Sequence, residues 1–133
     1  MELSFIVIDD SELDCFIARK IIEHTDTNLH VQTFQNAQLA LETIRKNAVV
    51  DNHVTTIVLL DLQMPLMNGF EFVEEFEKLP IEVRKRYVVV VLSSTRNNKD
   101  IFRILTYHTV YSRLDKPLTR EKLLSLMLEA QLR

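Results

Sequence analysis

The chain alternates between two kinds of pattern. Short runs of consecutive apolar, often β-branched residues are each followed by a segment in which apolar residues return every three or four positions. The first run, LSFIVID (3–9), predicts a strand, and after it Leu13, Phe16, Ile17 and Ile21 recur at helical intervals with Asp10 or Ser11 in the N-cap position. LHVQTF (29–34) alternates as a half-buried or edge strand does, and Asn36 is placed to cap a helix carrying Ala37, Ala40, Leu41 and Ile44. TTIVLLDL (55–62) predicts a third strand. Gly69 then opens a helical segment with Phe72, Val73 and Phe76, which stops before Pro80. YVVVVLS (87–93) is apolar throughout, the pattern of a strand covered on both faces, and Ile101, Ile104 and Leu105 mark a fourth helix. TVYSRLD (109–115) predicts the fifth strand. Thr119 caps a last helix with Leu123, Leu124, Met127 and Leu128 directed inward, and Leu118 and Leu123 stand at hydrophobic-staple spacing.

Five β–α units in succession predict the α/β class: a doubly wound, five-stranded parallel sheet with helices on both faces. No linker, repeat or low-complexity segment interrupts the pattern, so the 133 residues are expected to form one domain, 1–133, with no output domain. Apolar residues make up 47% and charged residues 26%, a globular balance. The net charge of −3 argues against direct nucleic-acid or membrane binding, and the basic run Arg84-Lys85-Arg86 reads as a solvated loop. A single cysteine, Cys15, rules out an internal disulfide and fits a reducing compartment. The N-terminus has neither a basic n-region nor a long apolar h-region, and no run approaches the roughly 20 apolar residues of a membrane helix. A cytoplasmic location is expected.

The chemistry lies where the strands end. In open parallel sheets ligands bind outside the carboxyl ends of the strands, at the switch point of strand order. Strand one ends in Asp9-Asp10, strand three in Asp61, strand four in Ser93-Ser94 and strand five before Lys116-Pro117. Taken singly, each has an ordinary reading: a turn-forming or capping acid, a loop hydroxyl, a surface lysine. Taken together, they bring three carboxylates, a hydroxyl and an ammonium to one edge. Crowded carboxylates repel, and hard oxygen ligands suit Mg²⁺. With charge neutralised by the metal and by Lys116, and with Ser93 donating to a phosphoryl oxygen, Asp61 is placed to act as a nucleophile toward phosphorus.

These residues resemble a known family. Val7-Ile8-Asp9-Asp10, the segment Leu59 to Gly69 (LLDLQMPLMNG), Val91-Leu92-Ser93-Ser94 and Leu114-Asp115-Lys116-Pro117-Leu118 are similar to the receiver domain of two-component response regulators across essentially the whole chain. The resemblance implies a flavodoxin-like sheet of order 2-1-3-4-5. It implies Asp61 as phosphoacceptor and a Mg²⁺ site made by Asp9, Asp10, Asp61 and the backbone carbonyl of Gln63. Ser93 and Lys116 are implied as phosphoryl-contacting switch residues, and Gln63 and Thr95 as positions that tune the lifetime of the aspartyl phosphate. The implied donor is a phosphohistidine on a sensor histidine kinase or histidine phosphotransfer protein. The output is a phosphorylation-dependent contact through the face of the fourth helix, fifth strand and last helix, or onward relay. Such a protein is not an enzyme beyond catalysing its own phosphorylation and dephosphorylation.

One departure stands out. Receivers usually carry an aromatic residue three before the lysine, where this chain has Arg113, expected here to be a solvated side chain unless it contacts a partner or the phosphoryl-linked loop. Tyr111, two residues earlier, is expected on the same sheet face. Two alternatives remain at this level. One is a degenerate receiver acting as a phosphorylation-independent scaffold. The other is an Asp-nucleophile phosphohydrolase, against which Gln63 counts because haloacid-dehalogenase-type enzymes carry a second acid there.

Overall fold

The structure, a computed structural model, describes residues 2–47 and 53–131. In chain order its elements are β1 (Glu2–Ile8), α1 (Glu12–Thr25), β2 (His30–Phe34), α2 (Ala37–Lys46), β3 (Val54–Leu60), α3 (Gly69–Phe76), α4 (Ile81–Arg84), β4 (Tyr87–Ser93), α5 (Asn98–Leu105), β5 (Val110–Asp115) and α6 (Arg120–Gln131). The strands form one parallel sheet in the order β2-β1-β3-β4-β5, as expected. Among the described residues no helix is long and apolar enough to cross a membrane.

Alternation along the central strands divides the core into two layers. Phe5, Val7, Ile57, Leu59, Val88, Val90 and Leu92 pack with residues of α1 and α6 on one face. Ile6, Ile8, Val58, Leu60, Val89 and Val91 pack with residues of α2, α3 and α5 on the other. The continuous apolar runs are therefore the mark of strands buried on both sides.

Local signals explain where the helices begin. Ser11 caps α1, its hydroxyl accepting the Asp14 N–H at 3.1 Å, and Asn36 caps α2 through the Gln38 and Leu39 N–H groups. Asn68 and Glu71 form a reciprocal capping box at α3. Thr119 accepts the Lys122 N–H at 3.2 Å at the start of α6.

Three expectations are corrected, and one strand carries an irregularity. The stripe that α1 buries is Cys15, Ala18 and Ile22, while Leu13 and Phe16 stay 65% and 55% exposed. Cys15 and Ala18 are small and let the helix lie close to the sheet. Helix α6 buries Leu123, Leu126 and Ala130, leaving Leu124 and Leu128 exposed, because its leucines lie on several sides and periodicity alone does not choose among them. The basic run at 84–86 is not a solvated loop. Arg84 ends the single turn α4 and donates from Nε to the Leu79 carbonyl, and Arg86 is buried with Nη1 on the Asn47 carbonyl. Finally, Val89 pairs with Val110 but Val90 with Ser112, so Tyr111 is the extra residue of a bulge in β5. Tyr111 lines a groove with Tyr87 and His108, toward the end of β4 remote from the residues of interest below.

Candidate functional site

Backbone hydrogen bonds fix the two key acids just beyond their strands. The Asp61 N–H continues the β3–β1 ladder to the Ile8 carbonyl at 2.9 Å, and the Asp9 N–H continues the β1–β2 ladder to the Phe34 carbonyl at 3.0 Å. Lys116 leaves β5 in the same way, its N–H on the Ser93 carbonyl at 3.0 Å. The chain after Asp61 reverses at Leu66, whose φ of 68° is left-handed, and the loop closes with the Gly69 N–H on the Leu62 carbonyl at 2.9 Å. A Cβ on Gly69 would stand 2.8 Å from both the Asp61 carbonyl oxygen and the Leu62 Cα. Only glycine lets α3 begin this close to the backbone of the acid.

Asp9, Asp10 and Asp61 each present a carboxylate oxygen, all within 4.8 Å of one another. The Lys116 ammonium lies 2.6 Å from Asp9 Oδ2, 2.8 Å from Asp14 Oδ2 and 3.8 Å from Asp61 Oδ2. Three carboxylates thus share one lysine, with Asp10 beside them. A cavity of about 70 Å³ opens beside them, lined in part by Asp9, Asp14, Asp61, Lys116 and Ile17.

The electrostatics reflect that imbalance. Burial, followed by the charge of Asp9, pushes the Asp61 carboxyl from its ordinary 3.8 up to about 6; Lys116 and the Gln63 backbone N–H act against the rise, and Asp10 adds to it. Burial alone would depress Lys116. Its hydrogen bonds to Asp14 and Asp9 and the charges of Asp61 and Asp9 outweigh that, so the ammonium is held above the ordinary lysine range. Burial, with the charges of Asp9 and Asp14, raises the Cys15 thiol to about 11, and its Sγ–H donates to the Asp9 carbonyl at 3.2 Å. It is an inert structural thiol. The donor set suits a hard divalent cation: three clustered carboxylates, one reluctant to ionise without a counter-charge.

Ser93 is fully buried at the end of β4, and its hydroxyl accepts the Thr95 N–H at 3.4 Å. The Gln63 side chain is exposed. The expectation that Arg113 is solvated is wrong. Its side chain is only 14% exposed, with Nη2 donating to the Thr95 carbonyl at 3.0 Å and paired with Asp115 Oδ1 at 2.7 Å. Arg113 lies opposite Val91, on the sheet face that α5 covers, so its guanidinium reaches the loop after β4 instead of water.

Two residues not expected from the sequence, Asp115 and Asp14, join the site. Asp115 anchors Arg113, and Arg96 approaches it at 4.0 Å. Asp14 meets Lys116 from the first turn of α1. Its signal was present: the third residue of a helix that starts beside Asp9 and Asp10 faces the same edge.

A family model described as the response regulator receiver domain matches residues 5–128. A response regulator receiver protein from Dyadobacter fermentans superposes with a TM-score of 0.83 at 35% identity, covering 96% of each chain. A two-component response regulator from Cytophaga hutchinsonii superposes with a TM-score of 0.87 at 23% identity, over 99% of this chain and 98% of its own. The protein-glutamate methylesterase/protein-glutamine glutaminase of Treponema denticola is 31% identical over 93 residues, 70% of this chain. This chain spans only 22% of that relative's length.

Proposed function

The chain belongs to the response regulator receiver domains, and from that premise we propose that Asp61 accepts a phosphoryl group from a phosphohistidine on a sensor kinase or phosphotransfer protein. The observation that carries this reading is the meeting of three carboxylates and the Lys116 ammonium at the carboxyl edge of the sheet. Asp9, Asp10, Asp61 and the Gln63 backbone carbonyl would hold Mg²⁺, which would neutralise charge on the phosphoryl oxygens. An Asp61 carboxylate oxygen forms a bond to phosphorus while the bond from phosphorus to the donor nitrogen breaks. The leaving imidazole keeps the electron pair. Lys116 approaches the transferred group as a point charge, and the buried Ser93 hydroxyl turns its proton toward it.

The domain signals through protein contact. The added charge draws Ser93 inward and with it the loop through Thr95. Arg113 grips the Thr95 carbonyl, so the displacement passes to β5 through a guanidinium where other receivers use an aromatic ring. The surface that responds is that of α5, β5 and α6. On it Phe102, Leu105 and Tyr111 are exposed, apolar side chains suited to contact with a protein target. Gln63 and Thr95 tune how long the phosphoryl group remains.

Incubation with acetyl phosphate and Mg²⁺, read by intact mass, tests the reading. The wild-type protein should gain one phosphoryl group and Asp61→Asn none. An equal gain in the variant would place the acceptor elsewhere, and steady hydrolysis of many phosphate esters would favour a phosphohydrolase.

A further inference from the structure

Asp14 is not part of the acid set discussed so far, yet it makes one of the two short contacts of Lys116. It is the third residue of α1, and its backbone N–H is on the Ser11 hydroxyl. An acid there commonly closes a capping box by accepting the N–H of the cap residue. Here the Ser11 N–H goes to Asp9 Oδ1 at 2.9 Å, and the Asp14 carboxylate turns to Lys116, 102 residues away in sequence. Helix capping is thus satisfied without the Asp14 side chain, which is committed across the site mouth to the lysine.

An ammonium has three donors. Two of those on Lys116 point at Asp9 and Asp14, at 2.6 and 2.8 Å, while Asp61 stands 3.8 Å away. To meet phosphoryl oxygens on Asp61 the ammonium must advance from where it is held. Asp9 and Asp61 follow directly on the neighbouring strands β1 and β3, so moving toward Asp61 does not require leaving Asp9. Asp14 belongs to α1, a separate element, and its contact is the one that must lengthen. We propose that Asp14 is a positioning residue that restrains phosphoryl acceptance: its carboxylate competes with the incoming phosphoryl oxygens for the Lys116 ammonium. This rests on the reading of Asp61 as phosphoacceptor.

The test compares acetyl phosphate concentration series, at saturating Mg²⁺, for wild type, Asp14→Asn, Asp14→Ala and Asp14→Glu. The Asp61 carboxylate forms the new bond to phosphorus, and acetate departs with the electron pair of the broken bond. The limiting rate should rise about fivefold in the two neutral variants, the factor a single partly exposed ion pair is worth. Asp14→Glu, which keeps the charge, should remain near wild type. A restraint on Lys116 acts on the transfer step, so the gain belongs in the limiting rate. A gain confined to the donor concentration at half-maximal rate would mean that Asp14 only repels the anionic donor, and would overturn the proposal. So would limiting rates equal to or below wild type in both neutral variants. If wild type itself gains no phosphoryl mass, this inference and the reading beneath it fall together; if wild type is phosphorylated and the neutral variants do not speed up, this inference falls alone.

Discussion

Asp61 carries its charge against its surroundings, and that has a measurable consequence in metal-free protein. Its folded-state pKa is raised from 3.8 to about 6. The folded state therefore holds the Asp61 proton more tightly than the unfolded chain does. The stability this gives is fully present below about pH 4 and is lost as pH rises through about 6, leaving an ionised, partly uncompensated acid. The difference is on the order of 2–3 kcal/mol. Asp61→Asn has no such proton to lose. In urea titrations without Mg²⁺ the variant should match wild type near pH 4 and exceed it by that order at pH 7 and above. A constant gap across that range would contradict the assigned burial of the charge. Arg113 offers a second test at this scale. Its bonds to Thr95 and Asp115 tie β5 to the loop after β4. Arg113→Ala should lower stability by roughly 1–2 kcal/mol, less than two charge-assisted bonds would suggest because the buried Nε has no partner among the described residues. Hydrogen exchange of the amides at 94–97 should speed up in that variant, while amides in β1 and β3 stay as they were.

At the level of elements, most of the fold could be read from the sequence, because the central strands are runs buried on both faces and every helix longer than the single turn α4 starts at a side-chain cap. The acids and the lysine could be read for the same reason, since a charged residue ending an apolar run has to lie at the sheet edge. What could not be read was which stripe of a helix packs. Helix α1 has apolar residues on two sides, and the large ones, Leu13 and Phe16, drew attention; close approach to the sheet selected Cys15 and Ala18 instead. The burial of Arg113 was not legible because the alternation of β5 is broken at Tyr111 and because Asp115, its partner, looks like an ordinary strand-end acid. Gly69 is the element-level residue with the firmest consequence. Any Cβ there meets backbone of Asp61 and Leu62 inside 3.0 Å, and backbone does not rotate away. Gly69→Ala should cost about 1–3 kcal/mol by denaturant unfolding, despite alanine's better helix propensity. Because the strain falls on the Asp61–Leu62 peptide, phosphorylation by acetyl phosphate should slow as well. A variant that is destabilised yet phosphorylated at the wild-type rate would show that the strain relaxes into α3 instead.

For the molecule as a whole, strand order is what makes a site from residues distant in sequence. Placing β1 beside β3 at the centre sets Asp9, Asp10 and Asp61 together, and β4 carries β5 far enough for Lys116 to return over them. The same edge crowds Asp9, Asp10 and Asp61 with Lys116 as the nearby base, and their mutual repulsion opposes folding when no cation is present. A divalent ion that binds only the folded state then acts as a stabiliser by mass action. At one hundred times its dissociation constant, Mg²⁺ should add about 2.7 kcal/mol. For a domain of this length that is a rise in Tm of roughly 10 °C. The rise should grow with the logarithm of Mg²⁺ concentration and shrink sharply in Asp10→Asn, whose exposed carboxylate can be removed without disturbing the core. It should also shrink below about pH 6, where a proton occupies Asp61 in competition with the metal. A Tm indifferent to Mg²⁺ in wild type would mean that Lys116 alone balances the cluster, and that the acids are held together by the fold for some purpose other than a metal.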